Sequence, residues 1–210
     1  MANILVFGAS IAQGYYDKEG GWIDRLKKYF LEQEIIHKWE QSINVFNLAI
    51  SGNTTSEILE RLKLETKPRN YKSHKLIFLF EIGLNDSIII KGKDKVSLKI
   101  FQKSLNEIID FAKKYSKNII FLGLTPVEEE KVSPMPWSPT ESYSNKRIEE
   151  YDAIIRNVCK NYKVKYLDLF KYTNKQGFIK HLDDGVHPNS EGHRKIFEIV
   201  RDFLVKEKLI

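Results

Sequence analysis

The chain has one cysteine, Cys159, two methionines and six prolines among its 210 residues. A single cysteine excludes an intrachain disulfide and leaves no thiolate cluster for a structural zinc ion. Cys159 lies among Ile154, Ile155 and Val158 at helical spacing, which reads as a buried thiol rather than a nucleophile. No apolar run reaches the length of a membrane span. The N-terminus has no basic region, and its apolar run is too short for a signal peptide, so the expected location is cytoplasmic. There is no G-x-G-x-x-G, and Gly8 and Gly14 have the wrong spacing for a phosphate loop, with no lysine after Gly14. Neither a cysteine-held zinc ion nor a nucleotide cofactor is therefore expected. Basic blocks with interleaved aromatics are also missing. The formal charge of +6 comes from lysines that alternate with acids, such as Lys27 and Lys28 near Glu32 and Glu34. That pattern is a solvated surface and gives no reason to expect a nucleic-acid partner.

What is present is an ordinary globular composition, 42% hydrophobic and 30% charged, over a length that suits one domain spanning 1–210. Ile4, Leu5, Val6 and Phe7 begin a buried strand from about Asn3. A helix follows from about Trp22 to Glu34, with Trp22, Leu26, Tyr29 and Phe30 on its apolar face. A second strand runs from about Asn44 to Ala49. Thr55 or Ser56 caps the next helix, where Ile58, Leu59 and Leu62 recur at helical spacing. Lys75 to Ile82 is nearly continuous in apolar residues, as a central parallel strand requires. The next helix, about Lys95 to Tyr115, turns Val96, Ile100, Phe101, Leu105, Ile108, Ile109 and Ala112 inward. Asn118 to Leu124 is a fourth strand and Lys165 to Leu169 a fifth, with a helix from about Asn145 to Asn161 between them. Irregular chain then leads to a last helix starting at Asn189 or Ser190.

Between Val127 and Tyr143, Pro134, Pro136 and Pro139 rule out regular structure. Met135 and Trp137 in this stretch are apolar residues on a loop, read either as a lid or substrate wall or as a loop tucked on the surface. Strands that alternate with helices predict an α/β fold: three layers, α/β/α, around a five-stranded parallel sheet of flavodoxin-like order 2-1-3-4-5.

Ligands of such sheets bind beyond the carboxyl ends of the strands. Ser10 sits at the first of these ends, Gly52 follows the second strand and Asn85 the third. Asp184 and His187 precede the last helix. A serine hydroxyl needs a base to become nucleophilic, and an imidazole accepts that proton near neutral pH. A carboxylate three residues earlier, across a turn that Gly185 makes easy, holds the ring in the right tautomer. This spacing selects Asp184 over the adjacent Asp183. The N–H groups of Ser10 and Gly52 and the Asn85 amide are candidate oxyanion donors. Tyr15, Tyr16, Trp137 and Tyr143 are candidates for a substrate wall. His37 and His74 read as surface residues; His181 and His193 stand near enough to the last turn to line a pocket.

Four blocks carry a family resemblance: Gly8-Ala9-Ser10-Ile11, Asn47-Leu48-Ala49-Ile50-Ser51-Gly52, Gly83-Leu84-Asn85-Asp86 and Asp184-Gly185-Val186-His187. In that order, over nearly the whole chain, they resemble the SGNH hydrolase superfamily, the GDSL esterase/lipase family. The resemblance implies hydrolysis of an ester or thioester through an acyl-serine intermediate, without metal or cofactor. Ser10, Asp184 and His187 would be catalytic, and a small-molecule ester the partner. The expected substrates are small or medium carboxylic esters, acetyl esters of sugars or related metabolites among them, with thioesterase or lysophospholipase activity as alternatives. One departure is Ala9, where the family usually has aspartate. It leaves the proton-transfer groups intact but removes a carboxylate that helps hold the serine loop. A non-catalytic carbohydrate- or ester-binding module is the alternative that this departure suggests.

Overall fold

The computed structural model describes residues 1–38, 42–175 and 177–210. Strand β1 (Ala2–Gly8) runs straight into the four-residue helix α1 (Ser10–Gln13). Helix α2 (Gly21–Ile36), strand β2 (Ile43–Asn47), helix α3 (Thr55–Thr66) and strand β3 (Lys75–Glu81) follow. After a 3-10 turn at Asn85–Ser87 come the short strands β4 (Ile89–Ile90) and β5 (Lys93–Asp94). Helix α4 (Leu98–Lys113) and strand β6 (Ile119–Leu122) complete the first half of the crossover pattern. The remainder is α5 (Glu129–Val132), β7 (Glu141–Ser142), α6 (Asn145–Tyr162), β8 (Lys165–Leu167), α7 (Leu169–Lys175) and α8 (Ser190–Lys206).

The main sheet has five parallel strands in the order β2-β1-β3-β6-β8. Counting only its own members, that is the expected order 2-1-3-4-5. Both faces are covered, so alternate side chains of each strand enter different cores. Leu5, Phe7, Phe78, Phe80 and Phe121 point to the side of α3, α4 and α6. Ile4, Val6, Ile77, Leu79, Ile120 and Leu122 point to the side of α2 and α8. On the first face the phenylalanine rings stack, with centroids 5.5 Å apart for Phe7 and Phe80 and 4.8 Å for Phe80 and Phe121. Each ring so buried contributes roughly 1.5–3 kcal/mol. This packing makes the sheet a rigid base for the loops at its C-terminal edge.

Several local expectations change. Helix α3 is capped by Thr54, not by Thr55 or Ser56; Thr54 and Glu57 form a reciprocal capping box. Ile100 is exposed on α4 rather than inward. The stretch from 127 to 143 is partly regular. The three prolines fall between α5 and β7, and the residues on either side retain enough chain to form one turn of helix and one short strand. Strand β7 pairs with β4, which also pairs with β5, to make a small antiparallel sheet that was not expected. The fifth strand ends at Leu167, and Leu169 instead opens α7. The segment before Asp183 is therefore helical, with α7 and a 3-10 turn at Phe178–His181. Among the described residues no helix is long and apolar enough to cross a membrane.

Candidate active site

Ser10 occupies the first position of α1 and is 8% exposed. The missing aspartate at position 9 has a visible consequence: Ala9 is the N-cap of α1 and makes no side-chain capping bond. Other contacts hold the loop. Gln13 N donates to Ala9 O at 2.8 Å, and Asn47 Nδ2 reaches from β2 to Ala12 O at 3.1 Å. Ser51 N donates to Gln13 Oε1 at 2.9 Å. The loops after β1 and β2 thus fix one another.

Ser10 Oγ lies 2.7 Å from His187 Nε2, and His187 Nδ1 lies 2.7 Å from Asp184 Oδ2. An ionised carboxylate only accepts, so Nδ1 carries the ring proton and Nε2 is left to accept from the serine. Asp184 Oδ1 meanwhile accepts from the N–H groups of Val186 and His187 at 2.9 and 2.8 Å. Gly185, with φ +93°, allows the tight reversal between them. Burial alone would raise Asp184, but the hydrogen bonds from the ring and backbone of His187 and from Val186 outweigh it and lower the carboxyl to about 2. Asp183 is exposed on the same turn, where its N–H donates to His187 O at 2.8 Å.

Asn85 Oδ1 accepts from the Tyr143 hydroxyl at 3.0 Å, and Nδ2 donates to Asn53 O at 3.0 Å. These two partners fix which end of the amide is which and leave one N–H uncommitted. Tyr143 was expected in a substrate wall; it is instead 4% exposed and lies behind Asn85. A buried hydroxyl must find an acceptor, and the Asn85 carbonyl oxygen is that acceptor. Gly52 is on the exposed turn that Asn53 N closes onto Ile50 O at 3.2 Å. Its own N–H has no acceptor among the described residues. Arg61 steadies the turn, donating from Nε to Asn53 Oδ1 at 2.9 Å with its guanidinium over the Phe7 ring. Asp86, which follows Asn85, accepts from the N–H and hydroxyl of Thr55 at the start of α3. Burial, against those hydrogen bonds, raises Asp86 to about 6.

The other proposed wall residues surround the imidazole. Ring centroids of Tyr15, Tyr16 and Trp137 lie 5.4, 5.8 and 6.5 Å from that of His187. All three are exposed. Val127, Val132, Met135 and Tyr143 anchor the 127–143 stretch by burial, most of its other residues are exposed, and Trp137 stands toward His187. His193 does not line a pocket: it is fully buried, with Nε2 2.9 Å from Tyr15 O. Burial lowers its pKa, more than the Tyr15 bond raises it. Cys159 is buried, and burial, with the charge of Asp152, pushes its thiol up to about 12.

Sequence reasoning missed Asp17. Its carboxylate accepts from Gly21 N at the start of α2, from both Nε and Nη2 of Arg25, and from Ser190 Oγ at 2.7 Å. Burial opposes ionisation, but the bonds from Arg25, Ser190 and Glu19 prevail and hold the group at about 2. Asp17 thereby joins the loop that carries Ser10 to the start of α8, just beyond His187. Among the described residues no group of histidine, cysteine and carboxylate side chains could hold a metal ion.

Residues 6–195 match the family model of the GDSL-like Lipase/Acylhydrolase family. An arylesterase from Vibrio mimicus is 26% identical over 208 residues, covering 97% of this chain and 88% of that protein. A lipase/acylhydrolase from Enterococcus faecalis has the same fold, with a TM-score of 0.75 at 18% identity over 97% of this chain and 95% of its own. An acetylxylan esterase from Geobacillus stearothermophilus aligns with a TM-score of 0.70 at 20% identity, covering 97% and 92%.

Proposed function

The chain belongs to the GDSL-like lipase/acylhydrolase family and is a carboxylic ester hydrolase acting on small-molecule esters, and from that premise we propose that it works through an acyl-serine intermediate formed on Ser10. The observation that carries this reading is the unbroken line of hydrogen bonds from Ser10 Oγ through His187 to Asp184.

In this reading Ser10 Oγ attacks the acyl carbon while His187 Nε2 takes its proton. The carbonyl oxygen gathers negative charge and is met by the N–H groups of Ser10 and Gly52 and by the free N–H of Asn85. The Ser10 N–H, at the start of α1, has no partner within the helix. His187 returns the proton to the alcohol oxygen as its bond to the acyl carbon breaks. A water molecule, deprotonated by the same ring, then attacks the acyl-serine and releases the acid. Asp184 stays ionised throughout, stabilising the imidazolium and its orientation. The substrates are small or medium carboxylic esters, acetyl esters of sugars or related metabolites among them. Tyr15, Tyr16 and Trp137 supply flat apolar surfaces for a ring in the alcohol portion.

A fluorophosphonate probe tests the reading. It is expected to label the protein once, at Ser10, and Ser10→Ala is expected to abolish both labelling and ester turnover. Labelling elsewhere, or full activity in Ser10→Ala, overturns it.

A further inference from the structure

Ser10 and Asn85 open onto a small cavity between the C-terminal ends of β1, β3 and β6, and Glu81, Gly123, Leu124 and Thr125 are among its lining residues. His187 is not part of this lining. The departing alcohol must stay beside His187 to receive its proton. With the carbonyl held between Ser10 and Asn85, the acyl group is then the portion that enters the cavity. Its free volume is about 20 Å³, room for about one water-sized group. An acyl chain can place there only the atom or two beyond its carbonyl.

The cavity wall is mainly apolar, and beyond Ser10 and Asn85 two polar side chains, Glu81 and Thr125, stand in it. Thr125 is 2% exposed, and its Oγ1 is buried without a hydrogen-bond partner among the described residues. Glu81 is 9% exposed; Oε2 accepts from Trp22 Nε1 at 3.1 Å, and its carboxyl makes no other side-chain hydrogen bond among the described residues. Burial raises Glu81 to about 8 despite the Trp22 bond, so at neutral pH it is a carboxylic acid that can donate as well as accept. The floor is held firmly. Asp152 accepts from Leu124 N at 2.9 Å and from the Tyr166 hydroxyl at 2.6 Å. A Cβ on Gly123 would stand 2.6 Å from that hydroxyl, so no side chain fits there.

Buried polar groups are rarely left unmatched, and an alkyl group offers these two nothing. We propose that Glu81 and Thr125 form the polar end of the acyl subsite and select short esters bearing a hydroxyl on the carbon next to the carbonyl. A hydroxyacetyl group is the smallest member of that class. Its hydroxyl accepts from one partner and donates to the other, which a propionyl methyl of the same size cannot do. The proposal rests on the acyl-serine reading above and adds the identity of the acyl group to it.

The test compares kcat/KM for phenyl hydroxyacetate and phenyl propionate, which differ only in hydroxyl for methyl. The ratio of the two is measured in wild type, Thr125→Val and Thr125→Ser. Taking it within each variant cancels general losses, and comparing it between variants cancels the intrinsic reactivity of the esters. The wild-type ratio is expected to exceed that of Thr125→Val by about tenfold or more, and Thr125→Ser is expected to keep most of the preference. Equal ratios in wild type and Thr125→Val overturn the proposal while leaving the esterase reading intact. Absence of turnover of every phenyl ester, with no labelling of Ser10, overturns that reading and the proposal with it.

Discussion

Glu81→Gln is expected to change the pH dependence of stability in a way that can be calculated. Glu81 is raised from 4.5 to about 8 by burial, with the indole N–H of Trp22 as its one side-chain hydrogen-bond partner among the described residues. A carboxyl whose folded pKa lies above its unfolded one favours folding most below the unfolded value, and this contribution is lost as pH rises through the folded value. Between 4.5 and about 8 the unfolded chain has released a proton that the folded chain keeps. Each pH unit in that window costs about 1.4 kcal/mol, or roughly 3 kcal/mol by pH 7 and roughly 4 kcal/mol at pH 8, where the folded group is half ionised. Glutamine reproduces the shape of the neutral acid, accepts from Trp22 through its amide oxygen and does not titrate. The variant should therefore track wild type at pH 4 and gain on it by roughly 3 kcal/mol at pH 7. Asp86, Asp184 and Asp17 titrate in both proteins and cancel in the difference. Urea unfolding at pH 4, 5.5, 7 and 8 measures it. Parallel stability curves would show that Glu81 ionises in the folded protein much as it does in water, and the reasoning from its burial would fail.

Asp184→Asn should lose up to about 10⁴ in kcat while remaining folded, whereas Asp183→Asn stays within a few-fold of wild type; steady-state kinetics with circular dichroism on both decide whether the carboxylates are correctly assigned. For Asn85→Ala, kcat should fall by about 10²–10³ with little change in KM. Tyr143→Phe frees the amide from its hydroxyl partner and should reproduce part of that loss, about tenfold in kcat; a change confined to KM would place both residues in substrate recognition instead. Ala9→Asp supplies the capping group that α1 lacks and should stabilise the protein by about 1 kcal/mol in thermal or urea unfolding, with kcat kept within a few-fold because Ser10 N–H is not the donor that such a cap engages.

Much of the candidate site's geometry could be read from the sequence because it is locally encoded. Ser10 and Asn85 follow strands whose apolar runs are unmistakable, and Asp184 and His187 face one another through a three-residue spacing that one glycine turn satisfies. Aromatic loop residues were harder to place. Nothing near Tyr143 distinguishes it from Trp137, yet one is buried behind Asn85 while the other stands exposed beside His187. Its hydroxyl partner is 58 residues away, and only the packing of β7 against β4 brings the two together. Asp17 was missed for the same reason, since its meaning comes from Ser190. The prolines between 134 and 139 were over-read. A proline forbids helix and interior strand at its own position and constrains its immediate neighbour, but Glu129–Val132 and Glu141–Ser142 lie outside that reach.

The ties that assemble the proposed catalytic groups span almost the whole chain: 177 residues separate Ser10 from His187, 173 separate Asp17 from Ser190, and 178 separate Tyr15 from His193. Contacts of such high contact order are costly to close early in folding, because the intervening loop loses its entropy before the contact is rewarded. The parallel sheet core from β1 to β6 can form without them. Catalytic competence is then a late event, reached when α8 docks on α2 and brings the imidazole to the serine. Local opening of that one helix would silence the enzyme while most of its secondary structure persists. During refolding from urea, recovery of far-ultraviolet circular dichroism should precede recovery of turnover. The delay between the two signals would time the arrival of α8.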